Sequence, residues 1–252
     1  MMKKIILFFI FLCFIFSSML FAQSPEEIYR KANMSYENAD YEKAASLYED
    51  LLEMDMVSPE VFYNLGNSFF KTKQIGRAIV NYERALRLAP RDRDIGLNLK
   101  LARSMAVDKI EIPERGFIVK LVLFPYDIMN VDELTAAISL IFLAIILILI
   151  FSIFFIGKRS SFFYSAGALA VLLVIFSIFL VSKLRSEIFT RHAVIISKKV
   201  DVKSGPKKDY LLQFTLHEGT RLRIVEERQG WYEIDLSKDL KGWLPKDSVE
   251  VI

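Results

Sequence analysis

Hydrophobic and polar positions follow three different patterns along the 252 residues of this chain. Apolar residues form long blocks at 5–22, 134–156 and 162–181, recur at helical spacing between 25 and 106, and alternate with polar residues from about 193 onward. Recurrence every three to four residues indicates amphipathic helices, and alternation indicates half-buried strands. The pattern therefore predicts a helical region, a pair of apolar helices and a small all-β domain, in that order.

The first apolar block is typical of a secretory signal sequence. Lys3 and Lys4 precede it and small residues follow it, so we expect a signal peptide over 1–22 with cleavage after Ala22. An uncleaved N-terminal anchor is the alternative, and in both cases the following chain should be translocated. Cys13 is the only cysteine and lies inside this block, so no intramolecular disulfide can form.

A helical motif occupies residues 59–92. It matches the signature of the tetratricopeptide repeat (TPR) at Phe62, Leu65, Gly66, Phe69, Ala78, Tyr82, Ala85 and Pro90. Small residues let two helices cross closely, aromatic residues fill the space between them, and the proline ends the second helix. A weaker copy precedes the motif, with Ala44 and Tyr48 in register, and 94–105 predicts a further, capping helix. We therefore expect TPR repeats with a capping helix over 25–106.

TPR arrays bind peptides on the concave face that the first helix of each repeat lines. The resemblance implies peptide-binding candidates at Asn33, Tyr63, Asn64, Asn67, Phe70, Lys71 and Asn98. Some TPRs clamp a C-terminal carboxylate with asparagines and lysines, but Tyr29 and Asp94 stand here at the lysine positions. Without those cations a carboxylate has no charge partner, so a chaperone-tail clamp is not expected. The alternative for the asparagines is that they only bond neighbouring helices.

Two transmembrane helices are expected at 134–156 and 162–181. Neither contains a charged residue, and at ~1.5 Å per residue each is long enough for the hydrocarbon core of a bilayer. The short loop between them holds Lys158 and Arg159, so the segment 134–182 must form an antiparallel hairpin with both flanking domains on one side. The lack of ionisable groups in the spans argues against a transporter or pump.

The segment 107–133 is expected to link the helical array to the hairpin. Its apolar stretch from Phe117 to Phe124 is too short to span a membrane. It is expected to lie in the membrane interface, with Pro125 ending the helix, or to act as a simple tether.

Two arguments about sidedness conflict. Lys183, Arg185 and Arg191 follow the second span, and by the positive-inside rule such a flank would be cytoplasmic. The signal sequence instead translocates the chain, and long domains cross largely regardless of charge. We therefore expect a bacterial cytoplasmic-membrane protein with both domains on the periplasmic, extracytoplasmic side.

Residues 188–252 resemble bacterial SH3-like domains. The resemblance rests on a turn at Leu216–Thr220, a strand start at Gly230–Trp231 and a closing segment at Gly242–Pro245. It implies a small all-β barrel that binds an extended ligand through surface aromatic residues. Ligand candidates are Tyr210, Trp231, Tyr232 and Trp243, and packing within the barrel is the alternative for the two tryptophans.

Several functions are not expected. The net charge of +3 includes no basic arm of the kind that binds nucleic acid. The sequence around Gly157 lacks the first glycine of a phosphate-binding loop, and His217–Glu218 opens a zinc motif that Arg221 fails to complete. We identify no catalytic residue, metal ligand or cofactor site, so the sequence favours an interaction protein over an enzyme.

The order of signal sequence, short TPR array, two-span hairpin and SH3-like barrel resembles the BatE-type proteins of the Bacteroides aerotolerance (Bat) group. That resemblance implies a cell-envelope scaffold linked to oxidative or envelope stress, whose partners are von Willebrand factor A-domain Bat proteins in the lipid bilayer. The alternative is an envelope sensor whose barrel binds peptidoglycan peptides.

Overall fold

The computed structural model describes residues 24–108, 116–189, 191–237 and 240–252. The expected signal peptide and Cys13 lie outside these residues. Within them a helical array, two long apolar helices and a seven-stranded antiparallel sheet follow one another along the chain. This order confirms the predicted fold class: an all-α repeat array, an apolar helical hairpin and a C-terminal all-β domain.

The array consists of α1 (Pro25–Glu37), α2 (Tyr41–Glu53), α3 (Pro59–Lys71), α4 (Ile75–Leu88) and α5 (Arg93–Met105). Serine begins the first helix of each repeat. The hydroxyls of Ser24 and Ser58 accept the backbone N–H groups of Glu27 and Val61 at 3.3 Å. Each serine satisfies one otherwise unpaired donor, and the proline that follows has the backbone angle that a first helical residue needs.

The turns within the two repeats share one geometry. Ala39 and Lys73, which are 34 residues apart, both adopt left-handed backbone angles, with φ of 62° and 63°. The residue after each donates its N–H at 2.9 Å to a carbonyl in the last turn of the preceding helix. This closure satisfies carbonyls that a helix end leaves free. The first repeat is therefore a true structural copy of the second.

Small residues lie where the paired helices cross. Ala32, Ala44 and Ala78 are fully buried, and a Cβ added to Gly66 would lie 2.8 Å from the ring of Tyr82. Such a contact is far inside van der Waals separation, so glycine is required for this approach of α3 to α4.

Helix α6 (Phe117–Ile128) corrects one expectation, because it continues through Pro125 instead of ending there. The proline lies close to the end of the helix, so only one internal hydrogen bond is lost before the helix stops. The Lys183 ammonium donates to the carbonyl oxygens of Tyr126, at 3.0 Å, and Met129. A cation at a helix C-terminus is stabilising, so Lys183 fixes the end of α6 against the second apolar helix.

The apolar helices are α7 (Val131–Phe154) and α8 (Arg159–Phe189), joined through a 3₁₀ turn at Ile156–Lys158. They pack against each other, and both are long and apolar enough to cross a membrane, with few of their side chains buried. Helix α8 begins inside the expected loop, so the connection is tighter than the sequence indicates. At the other end of the hairpin, Asn130 and Glu133 form a reciprocal capping box at the start of α7.

The C-terminal domain contains β1 (His192–Ile195), β2 (Lys199–Lys203), β3 (Leu212–His217), β4 (Arg221–Arg228), β5 (Trp231–Ser237), β6 (Leu240–Pro245) and β7 (Val249–Val251). They form one antiparallel sheet in the order β3-β2-β6-β5-β4-β1-β7. Register shifts in the β2–β3, β4–β5 and β5–β6 pairs bend the sheet. Every strand contributes to a single buried cluster around Ile195, Ile234 and Leu244, so the sheet curls around one barrel core.

Candidate functional site

Two equivalent hydrogen-bonded sets of side chains connect the repeats near the face lined by α1, α3 and α5, here called the inner face. The Tyr48 hydroxyl donates to Asn33 Oδ1 at 2.5 Å, and the Tyr82 hydroxyl donates to Asn67 Oδ1 at 2.8 Å. Both tyrosines are almost fully buried, and burial raises the pKa of each hydroxyl above its ordinary value. Asn33 and Asn67 therefore satisfy donors that would otherwise be buried without a partner.

The second bond of each set reaches the neighbouring repeat. The Asn64 amide donates to the Tyr29 hydroxyl at 3.3 Å, and the Asn98 amide donates to the Tyr63 hydroxyl at 3.0 Å. Asn98 also donates to Asn67 Oδ1 at 3.0 Å. Apart from this bond, the bonds of one set map onto the other by a shift of 34 residues, so they belong to the repeat itself.

The predicted inner-face residues thus divide into two groups. All four asparagines and Tyr63 participate in the bonds between helices, whereas Phe70 packs at the edge of the core and Lys71 is exposed. The Lys71 ammonium lies 6.0 Å from the centre of the Tyr41 ring. The contacts support the structural alternative for the asparagines, and peptide binding by this face stays a prediction.

The four aromatic candidates of the barrel differ in burial and in their access to a cleft. Tyr232 is 2% exposed and packs in the barrel core. Trp243 is 8% exposed but lies on the outer face of its strand, where an arginine guanidinium 5.6 Å from its ring centre covers it. Tyr210 is exposed but lies flat against Gly205, where an added Cβ would meet its ring at 2.7 Å. Trp231 is half-buried and faces a cleft. Of the four, Trp231 is thus the side chain best placed to touch a ligand.

That cleft, here called the β2 cleft, has a volume of about 510 Å³. It lies between β2 and the ends of β5 and β6, and its walls include Trp231, Pro245, Asp201 and three lysines. Strands β2 and β6 pair at Lys203 and Trp243 and then separate. Because Pro245 has no N–H to donate, the β5–β6 hairpin cannot extend this ladder, and the space stays open.

The barrel docks directly on the helical array. Strands β1 and β7 contact α4, and the fully buried Val194 of β1 belongs to the same apolar cluster as Ile79 and Val80 of α4. The C-terminal Ile252 packs against that cluster as well. The array and the barrel therefore share buried apolar surface, which is the main attractive contribution to such an interface.

A carboxylate from the barrel caps α4. The backbone N–H of Gly76, in the first turn of α4, donates to Glu218 Oε1 at 2.9 Å. Helix α4 has no acidic residue of its own in that turn and no side-chain cap, whereas α2 has Glu42 at the position equivalent to Gly76. A negative group at a helix N-terminus is stabilising. Glu218 thus supplies to α4 the charge that its own sequence lacks.

Gly76 also makes the approach possible. A Cβ at this position would lie 2.3 Å from the carbonyl oxygen of Ile195 and 3.0 Å from Cα of Ile196. Both neighbours are backbone atoms of the barrel, so they cannot move aside as a flexible side chain could.

Asp108, just after α5, binds the opposite side of the same barrel turn. Its carboxylate accepts the backbone N–H of His217 at 2.7 Å and the Thr220 hydroxyl at 2.7 Å, and lies 3.0 Å from Nδ1 of His217. Burial opposes the charge, but the bonds from Thr220 and His217 outweigh it and hold the Asp108 pKa below its usual value. The β3–β4 turn is therefore held between α4 and the end of α5.

Charged pairs surround this contact. Arg84 of α4 bonds the Glu250 carboxylate at 2.7 Å and the carbonyl oxygen of Val251. Glu83 accepts from Arg221 of the barrel at 3.1 Å and from Arg103 of α5 at 2.6 Å. These pairs fix the orientation of the barrel more than its affinity, because partly exposed ion pairs contribute little energy.

The array also contacts the base of the hairpin. Arg91 pairs with Glu133, and the Asn130 amide donates to the carbonyl oxygen of Leu88 at 3.3 Å. The array and the docked barrel consequently lie together at one end of the apolar hairpin, as its antiparallel topology requires.

Sequence reasoning missed the docking residues Gly76, Glu218, Asp108 and Arg84. One signal was present, because Gly76 replaces the acidic residue that the first repeat carries at the same position. A loss of a first-turn acid together with a gain of glycine can indicate that another segment approaches the helix. The partner, 142 residues away, could not be found from that signal.

Two family models match the chain. Residues 59–92 match the tetratricopeptide repeat, and residues 198–250 match the bacterial SH3 domain. No curated protein matches the chain in sequence. The chain is therefore a multidomain protein that carries a TPR and a bacterial SH3 domain, two modules that typically bind other molecules and typically lack catalytic activity.

Proposed function

We propose that this chain is a non-enzymatic scaffold anchored in the bacterial cytoplasmic membrane by α7 and α8, with the array and barrel on the extracytoplasmic side. The direct docking of the barrel on α4 carries the proposal. It holds two binding modules in one orientation at the base of an apolar hairpin, which is an arrangement suited to bringing two ligands together.

The inner face of the array binds the protein partner in this proposal. The barrel packs mainly on α4 and on the turn after α5, so exposed side chains of α1 and α3 stay accessible. The resemblance to BatE-type proteins supports von Willebrand factor A-domain Bat proteins as the partners, in a complex linked to aerotolerance and oxidative stress.

Purification of the tagged full chain from solubilised membranes tests this role. Lys71→Glu alters the exposed inner face, and Lys43→Glu makes the same charge change on α2. We expect Lys71→Glu to release a membrane partner that the unmodified chain and Lys43→Glu retain. Retention of every partner by both variants would contradict binding through the inner face.

An envelope sensor is the second candidate. The bacterial SH3 match and the half-buried Trp231 in the β2 cleft favour it, because such a barrel could bind peptidoglycan peptides. In this alternative, purified wall material retains the full chain, and Trp231→Ala abolishes the retention while leaving partner recovery unchanged.

A further inference from the structure

The β2 cleft is lined by more basic than acidic side chains. Lys199 and Lys203 belong to β2, and Lys208 belongs to the β2–β3 loop. None of the three forms an ion pair within the part of the chain that the structure describes. Asp201 is the one acidic residue of the lining, so the walls carry a net charge of three minus one, or +2.

The alternation of β2 determines where these charges point. Val200 and Val202 are buried in the barrel core, so Lys199, Asp201 and Lys203 project from the opposite face of the strand. The Asp201 carboxylate accepts the Thr215 hydroxyl at 2.9 Å, which fixes it between the two lysines. The strand thus presents cation, anion and cation in a row.

The spacing of this row matches an extended chain. Residues four apart on a strand are separated by about 13 Å. An extended peptide has the same rise per residue, so carboxylates four residues apart on a ligand can reach both lysines. A residue midway between them would face Asp201 and must not be acidic.

Trp231 and Pro245 supply the apolar side of the cleft. A flat aromatic ring beside a proline offers a surface on which an extended backbone can lie, as in other grooves that bind extended peptides. An isolated phosphate would use the lysines but would leave this wall without a contact.

We propose that the β2 cleft binds an extended peptide with carboxylates four residues apart and a non-acidic residue between them. This inference rests on the binding role proposed above for the barrel and names the chemistry of its ligand. The occupant is an acidic segment of a protein partner, and a peptidoglycan stem peptide, whose carboxylates are closer together, is an alternative outcome of the test.

The test uses the full chain in nanodiscs of zwitterionic lipid and follows tryptophan fluorescence, since Trp243 is buried and Trp231 faces the cleft. The first probe is a blocked five-residue peptide with glutamate at its first and last positions, lysine in the middle and glycine elsewhere. The second has the same composition with the glutamates adjacent, and the third is a stem pentapeptide. Anionic phosphatidylglycerol nanodiscs form the fourth arm.

We expect the first probe to bind more tightly than the second, with a signal that Trp231→Phe removes. Lys199→Glu and Lys203→Glu should each weaken binding about fivefold, the upper range for an exposed ion pair. Lys241→Glu on β6 makes the same charge change outside the cleft and should leave binding unchanged. Tighter binding of the stem pentapeptide than of the first probe would overturn the proposal, because no two carboxylates of a stem pentapeptide are four residues apart.

Equal binding of the first two probes would overturn the proposal, as would equal weakening by Lys199→Glu and Lys241→Glu. A response to phosphatidylglycerol with none to any peptide would also overturn it, in favour of a lipid surface. The scaffold role survives such a result if Lys71→Glu still releases the membrane partner, so the two failures are distinguishable.

Discussion

Gly76 at the start of α4 and Glu218 in the barrel are joined by a 2.9 Å hydrogen bond across 142 residues of chain. The glycine removes the side chain that would block the barrel, and the glutamate caps the helix that the barrel approaches. One contact therefore combines close packing with electrostatic stabilisation. It also explains why the second repeat has glycine at the position where the first repeat has Glu42.

Replacement of Glu218 by alanine should weaken docking without unfolding either domain. Loss of a capping acceptor costs about 1 kcal/mol, so amide hydrogen exchange at the first turn of α4 should accelerate about fivefold. The control is Glu42→Ala, which removes the first-turn acid of α2 and should affect that helix alone. Equal exchange rates at α4 in Glu218→Ala and the unmodified chain would show that the cap has no energetic role.

The same substitution should have opposite effects at two glycines. At Gly76 an alanine Cβ would meet the Ile195 carbonyl oxygen at 2.3 Å, whereas at Gly96 of α5 it would meet nothing within 4 Å. We expect Gly76→Ala to lower the melting temperature of the soluble part of the molecule and expose the interface to protease. Gly96→Ala should raise that temperature, because alanine is favoured over glycine in a helix by about 1 kcal/mol.

Docking should also depend on pH through Asp108. Its pKa is lower in the folded protein, so the group contributes stability that is present above the unfolded carboxyl pKa and is lost as pH falls through the folded value. This stabilisation should begin to be lost below about pH 4 and should be gone once the pH is below the folded-state pKa of Asp108. Hydrogen exchange of the His217 backbone amide, measured as a function of pH, reports this loss of stabilisation. Asp108→Asn should dock more weakly at neutral pH and lack this acid-dependent step.

The Asn67–Tyr82 bond should be structural. Asn67→Ala leaves the buried Tyr82 hydroxyl without its acceptor, which costs about 1–3 kcal/mol. Urea unfolding of Asn67→Ala, Tyr82→Phe and the double variant gives the coupling between them. We expect the double variant to lose less than the sum of the single losses. Additive losses, together with loss of partner binding by a stable Asn67→Ala protein, would instead favour a ligand role for Asn67.

The sequence predicted features whose cause is local. The crossing of α3 and α4 follows from Gly66 and Tyr82, and the strand β2 follows from the alternation of Val200 and Val202. These residues act on neighbours in the same motif, so a pattern of spacing is enough to recognise them.

Other features depend on contacts that no local pattern encodes. The helix α6 continues through Pro125 because Lys183, distant in sequence, stabilises its end. Tyr232 and Trp231 are adjacent on one strand, and only the fold decides that the first is buried and the second faces the β2 cleft. The docking of the barrel also could not be predicted, because Gly76 and Glu218 are 142 residues apart and no local pattern relates them.

A distance distribution between spin labels tests the docked arrangement most directly. The exposed Lys43 on α2 and Lys241 on β6 can be replaced by cysteine in a Cys13→Ser background and labelled in nanodiscs for pulsed electron resonance. We expect one narrow distribution at neutral pH that broadens in Gly76→Glu, because that side chain fills the docking site. A broad distribution in the unmodified chain, unchanged by Gly76→Glu, would contradict the docking of the barrel on α4.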